Sequence, residues 1–160
     1  MKRLALLLLG LMLATGASAI DLDLRLKDPQ GKEHTLGEYI GKGKWVVLSV
    51  WSPGCPFCRQ ELPDFVDFHN EHKDKDAIVL GLVMEFPSFA YPEPAAIRRF
   101  LQDYFIDFPN LLVDQNLASA VTGTPITSLP VTFVFRPDGT LLGRRFGVVT
   151  REQLEQALEQ

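Results

Sequence analysis

The chemistry-bearing residues of this chain are Cys55 and Cys58, the only two cysteines among its 160 residues, in the run Cys55-Pro56-Phe57-Cys58. A cysteine reacts as its thiolate. A free thiol has a pKa of about 8.5, and a helix N-terminus or a Cys-x-x-Cys arrangement lowers it to roughly 3.5–7.5. The flanking residues predict that setting. Trp45 to Trp51 is an apolar run rich in β-branched residues and reads as a buried strand. Ser52-Pro53-Gly54 punctuates a loop. Pro56 suits the first position of a helix. Cys58, Leu62, Phe65, Val66 and His69 then recur at helical spacing on one face. Cys55 is thus predicted at a helix tip, where free N–H groups and the helix dipole stabilise a thiolate. Cys58 follows within disulfide reach and turns further inward. The chemistry this suggests is thiol–disulfide exchange, with Cys55 attacking and Cys58 resolving. The plainer uses of such a pair are a structural staple and a metal site. A four-residue loop makes a poor staple, worth about 2 kcal/mol against about 4.7 for a hundred-residue loop.

The remaining elements must hold that strand and helix. Lys2 and Arg3, the apolar stretch Leu4 to Ala14 and Ala17-Ser18-Ala19 read as a secretory signal peptide over residues 1–19. The apolar part is short for a bilayer span, and an uncleaved membrane anchor is the alternative. Residues 20–160 then form one domain. Removing Lys2 and Arg3 takes the basic residues from 16 to 14 against 20 acidic ones, and the net charge from −4 to −6. Nucleic acid and anionic membrane surfaces are therefore poor partners. One closely spaced cysteine pair is not a disulfide scaffold.

Leu22, Leu24 and Leu26 alternate with charged residues and predict a strand, and Asp28-Pro29-Gln30-Gly31 turns it into an N-terminal hairpin. Leu36 to Ile40 suits a helical turn. The helix from Pro56 runs to about His72, with Pro63 inside it predicting a kink. Ala77 to Met84 is a near-continuous apolar strand, as in a parallel sheet covered on both faces. Residues 86–94 hold Phe86, Phe89, Tyr91 and several prolines and read as an irregular loop, for packing or for a partner. Ile97, Phe100, Leu101 and Tyr104 make a helical stripe, Asn110 to Val113 a strand, and Gln115 to Val121 a short helix. Leu129-Pro130 leads into the strand Val131 to Phe135. A turn over Arg136 to Gly139 and a strand from Leu141 to Val149 follow. Thr150 and Gln153 form a capping box that opens a last helix. Strands alternating with helices predict an α/β class with an antiparallel edge.

A buried strand, Trp51-x-x-x-Cys55-x-x-Cys58 on a helix and a proline before a closing hairpin resemble the thioredoxin fold over nearly all of residues 20–160. That fold is a central mixed β-sheet flanked by helices, here with an N-terminal β-hairpin and a central insertion. The leader, the run Cys55 to Pro63, Phe108 to Asp114 and the Pro137-Asp138-Gly139 turn resemble more narrowly the TlpA/ResA-like exported thiol–disulfide oxidoreductases. The resemblance implies a redox-active Cys55–Cys58 disulfide and a cis proline at Pro130 lying against it. It also implies a client-docking surface drawn from Leu129, Pro130, Phe57 and Trp51, and an acidic residue at Glu61. On a helix, Glu61 sits beside Cys58 at the border of the apolar stripe. A partly buried carboxylate there raises its own pKa and can exchange a proton with Cys58; an exposed helical glutamate is the bland alternative. The resemblance further implies no cofactor and no metal, disulfide-containing client proteins, a membrane thiol protein that returns electrons, a monomer, and the periplasm.

Departures leave the redox poise open. Ser49 stands where cytosolic thioredoxins carry a buried aspartate, Phe57 where the strongly oxidising DsbA type has histidine, and Leu129 matches neither common residue before the proline. Potentials in this fold run from about −270 to about −120 mV, with 30 mV worth about 1.4 kcal/mol. A dithiol oxidase or isomerase is therefore the neighbouring alternative. A copper-handling thioredoxin-fold protein, drawing on the cysteines and one of His34, His69 or His72, is the alternative of a different class. A peroxidase pattern, P-x-x-x-T-x-x-C, is absent, because Leu48 and Ser52 occupy its first two positions.

Overall fold

The computed structural model describes residues 20–84 and 93–160. The leader assigned to residues 1–19, with its alternative as an anchor, lies outside the described residues, as does nearly all of the loop expected at 86–94. Among the described residues no helix is long and apolar enough to cross a membrane.

The core is a seven-stranded mixed sheet. β3 (Trp45–Trp51), β4 (Ala77–Met84) and β5 (Asn110–Val113) run parallel. β6 (Val131–Phe135) adds antiparallel to β3, and β7 (Leu141–Phe146) antiparallel to β6. At the other edge β1 (Arg25–Lys27) pairs antiparallel with β5 and with β2 (Glu33–Thr35). The order is β2-β1-β5-β4-β3-β6-β7. β3 and β4 read as unbroken apolar runs because both faces of the sheet centre are covered.

The two faces carry two cores. On one, α1 (Pro56–His72), α2 (Pro94–Asp103) and α4 (Arg151–Leu158) bury Val47, Trp51, Cys55, Cys58, Leu62, Phe65, Phe68, Ile97 and Leu154. On the other, α3 (Gln115–Thr122) sets Ala118 and Val121 on Leu48, Val50, Leu80, Leu82 and Phe133. The cysteines belong to the first face. α1 runs unbroken through Pro63, whose ring lies on the exposed side.

Three expectations change. The first strand is only three residues long, because Asp21 Oδ1 accepts the amides of Asp23 and Leu24 and Leu22 O accepts that of Gly37, which holds the preceding segment out of the ladder. β7 ends at Phe146 rather than Val149. Gly147 turns the chain at φ 87° and donates its N–H to Pro130 O, at 2.9 Å. Tyr104 is not part of the buried stripe: it caps α2, stays exposed, and stacks on Phe100 at 4.2 Å between centroids.

Candidate functional site

β3 delivers the chain to a tight loop. Ser52 is buried there and its carbonyl accepts the Cys55 amide at 3.0 Å. Arg59 Nε donates to Pro53 O at 2.7 Å, and its guanidinium lies over the Phe100 ring, 5.6 Å from the centroid. The loop is thus tied to the first turn of the helix it feeds.

Cys55 is the N-cap of α1, with Pro56 in the first turn. Its sulfur accepts the backbone N–H of Cys58 at 3.1 Å. This is the contact a thiolate at a helix tip uses, an orphan amide aimed at a developing negative charge. Cys55 and Cys58 form a disulfide, with Cα atoms 5.2 Å apart. Exposure hardly separates them, at 1% for Cys55 and 0% for Cys58. What distinguishes Cys55 is its place at the helix tip, not greater openness. Between them, Phe57 projects into solvent, 61% exposed.

The Leu129–Pro130 peptide is cis. Leu129 is half-buried and packs against the cluster that contains both cysteines, while Pro130 is buried at the start of β6. Trp51, expected on the docking surface, is instead internal at 1% exposure. Its Nε1 donates to Asn110 Oδ1 at 3.1 Å and its ring meets Phe100 at 5.7 Å. The bulk of an indole at the end of a central strand is satisfied by burial beneath the loop, so Trp51 supports the site from below.

Glu61 lies one turn after Cys58 on the same face of α1 and is 1% exposed. Its Oε1 accepts from Ser49 Oγ at 3.5 Å and its Oε2 from the Val149 amide at 3.1 Å. Burial pushes the carboxyl up to about 8 from an ordinary 4.5; the two hydrogen bonds only partly offset the desolvation, and Asp64 adds a little repulsion. A group poised there is largely protonated at neutral pH, yet close enough to the working range to take up and give back a proton.

Sequence reasoning found Glu61 by helical spacing and missed its partners. Ser49 enters that reading only as a departure from a family pattern, although its alternation with Val47 and Trp51 puts all three on the face of α1. Val149 follows a positive-φ glycine that ends β7, and no local pattern points it at Glu61. The histidines engage other groups. His69 Nδ1 accepts the Val79 amide, His72 meets Asp76 and Glu155, and His34 meets Glu38, Asp28 and Tyr39.

The AhpC/TSA family profile matches residues 15–143. The chain is 31% identical over 137 residues to the thioredoxin-like protein YneN of Bacillus subtilis, covering 86% of this chain and 75% of that one. It is 27% identical to the thiol-disulfide oxidoreductase ResA of Geobacillus kaustophilus, covering 91% and 77%. Among solved structures, StoA from Bacillus subtilis superposes with a TM-score of 0.66 at 22% identity, over 89% of this chain and 98% of that one. A secreted thiol-disulfide isomerase from Corynebacterium glutamicum superposes at 0.74 and 20% identity, over 84% and 80%. Those likenesses to solved structures establish a shared fold.

Proposed function

The chain belongs to the AhpC/TSA family and has the thioredoxin fold, and from that premise we propose that it is an exported thiol–disulfide oxidoreductase that reduces protein disulfides. The observation that carries the reading is the pairing of a helix-tip sulfur, held by the Cys58 amide, with a buried carboxyl one turn beyond it. The peroxidase branch of chemistry is disfavoured by Leu48, buried in β3, and Ser52, buried in the loop, where a proline and a threonine would be needed.

In the reduced protein the Cys55 thiolate attacks one sulfur of a client disulfide. The client's S–S bond breaks, its other sulfur leaves as a thiolate, and a mixed disulfide joins Cys55 to the client. Glu61, as carboxylate, takes the Cys58 proton. The Cys58 thiolate attacks Cys55 Sγ, the second client sulfur leaves, and the Cys55–Cys58 disulfide forms. Two electrons have passed to the client. A dithiol protein, which we place in the membrane, returns them by the same exchange. Phe57 offers a client an exposed apolar contact, and Leu129, packed against the cluster that holds both cysteines, completes the docking surface with the cis Pro130 that follows it. Residues 20–160 act as a monomeric domain once residues 1–19 have directed export to the periplasm.

Trapping tests this. Cys58→Ser is expected to hold the natural client on Cys55 as a stable mixed disulfide, identified by mass spectrometry, while Cys55→Ser holds none. The disulfide's potential against glutathione sets the direction: a value near about −270 mV supports a reductant, and one near about −120 mV reverses the assignment to an oxidant.

A further inference from the structure

Arg59, the residue that follows the disulfide, is built into its rim. The Arg59 amide donates to Cys55 O at 3.1 Å, and its Nε donates to Pro53 O at 2.7 Å. The side chain thus folds back along α1 onto the loop that delivers Cys55. Its guanidinium lies 5.6 Å from the centroid of Phe100, within cation–π range. Phe100 in turn stacks on Tyr104 at 4.2 Å and meets the buried Trp51 at 5.7 Å. Trp51 is itself held by Asn110. A run of packed rings therefore backs the cation and fixes where it stands relative to Cys55.

Its countercharge does not come from the described residues. Arg25 and Arg151 each hold a carboxylate. Among the described residues Arg59 holds none, and only its Nε has an acceptor. A guanidinium carries its N–H donors in a planar fork, so the brace uses Nε–H and leaves the donors on both terminal nitrogens. Arg59 is exposed, so those donors are open to a partner from solution. Exposed ion pairs are weak partly because both side chains must be ordered to form them. Here the bond to Pro53 O and the ring of Phe100 have already ordered one. The domain as a whole does not attract anions, because residues 20–160 hold 14 basic residues against 20 acidic ones. A preference for a carboxylate at this rim is therefore made locally, by Arg59.

Building on the dithiol reading above, we propose that Arg59 determines which disulfides react, favouring clients that carry an aspartate or glutamate beside the cysteine that Cys55 attacks. Cys55 caps α1 and Arg59 stands one helical turn beyond it, the separation that a cysteine and the side chain next to it can bridge. The terminal nitrogens of Arg59 donate to the client carboxylate while the client sulfur meets Cys55, a charge-assisted contact in the geometry a guanidinium fork suits. Phe57, exposed in the same turn, takes the apolar part of the client. No proton or electron passes through Arg59, and the thiol–disulfide exchange balances as before. Clients with neutral or basic flanks react at Cys55 without this contact.

The test uses end-capped peptide disulfides that differ only in the residue after cysteine, which is glutamate, glutamine or lysine. Reduced full-length protein is mixed with each at an ionic strength of about 0.15 M, where the Debye length of about 8 Å screens the distant charges. Acid quenching, alkylation and mass spectrometry then give the rate of oxidation. The quantity read is the rate with the glutamate peptide divided by the rate with the lysine peptide. Arg59→Gln is expected to lower this quotient about three- to fivefold, the upper part of what an exposed ion pair supplies. Arg59→Glu should lower it further. Arg98→Gln removes the same charge from α2, where Arg98 donates to Pro29 O, and should leave the quotient unchanged. If Arg59→Gln slows every peptide alike, Arg59 only braces the loop and the proposal is wrong. It is equally wrong if Arg98→Gln lowers the quotient as much as Arg59→Gln does, because overall charge then sets the preference. If none of the peptides oxidises the reduced parent protein, the dithiol reading itself fails and the specificity falls with it.

Discussion

Cys55 and Cys58 differ in environment although both are buried. The Cys55 sulfur receives an amide from the first turn of α1, and Cys58 has a largely protonated carboxyl on the next turn. The first arrangement lowers a thiol pKa, whereas apolar burial raises one. In the reduced Cys58→Ser variant, iodoacetamide alkylation of Cys55 against pH is expected to titrate below the free-thiol value of about 8.5. In reduced Cys55→Ser the remaining thiol should titrate above it. Equal profiles would remove the asymmetry on which the mechanism depends. At this scale much was legible, because the cysteine pair, the helix tip and the spacing from Cys58 to Glu61 are local patterns. The depth of Glu61 was not, because it depends on Ser49 and Val149, which lie 12 and 88 residues away along the chain.

At the scale of elements, the site rests on how closely three strands approach under α1 and α2. The Trp51 indole bonds Asn110 across β4, and that bond passes directly over Gly81. A Cβ at Gly81 would fall 2.8 Å from Trp51 Nε1 and onto the Asn110 side-chain amide, which is buried and held by its bonds to Trp51 and Phe108 O. Gly81→Ala is therefore expected to destabilise by about 1–3 kcal/mol, the usual range for overpacking. Denaturant unfolding checks this, and indole fluorescence should report a displaced Trp51. Phe65→Ala, which empties a wholly buried site between α1 and the sheet, should cost about 3–5 kcal/mol. β3, α1, β4 and α4 were legible nearly to the residue, since long apolar runs, a capping box and helical periodicity mark them. The ends of β1 and β7 were not. Asp21 caps a bend and Gly147 adopts positive φ, and alternation alone does not reveal where a ladder stops. Gly81 reads as one more small residue in an apolar run until its neighbours on either side are known.

Across the whole molecule, two buried titratable groups on α1 make stability depend on pH with opposite sign. Glu61 has a folded pKa of about 8 against an ordinary 4.5, so the folded chain holds a proton that the unfolded chain has lost. Its contribution is complete below about pH 4.5 and drains away as the pH rises toward 8, by an amount on the order of a few kcal/mol. His69 works the other way. Burial holds its pKa below the ordinary 6.5, and its Nδ1 is engaged as acceptor of the Val79 amide, so the folded chain resists protonation. That contribution is present above pH 6.5 and is lost as the pH falls through the depressed value. The oxidised protein is therefore expected to be most stable in mildly acidic solution, between about pH 4.5 and 6.5, with denaturant midpoints declining on both sides. Glu61→Gln should flatten the alkaline limb and spare the acid one, and His69→Gln the reverse. The two positions lie eight residues apart on one helix, or about 12 Å of rise. Their effects should therefore add within about 0.5 kcal/mol in the double variant. An alkaline limb unchanged in Glu61→Gln would mean that burial does not raise the carboxyl's pKa, and Glu61 would then be too weak a base to match the Cys58 thiol.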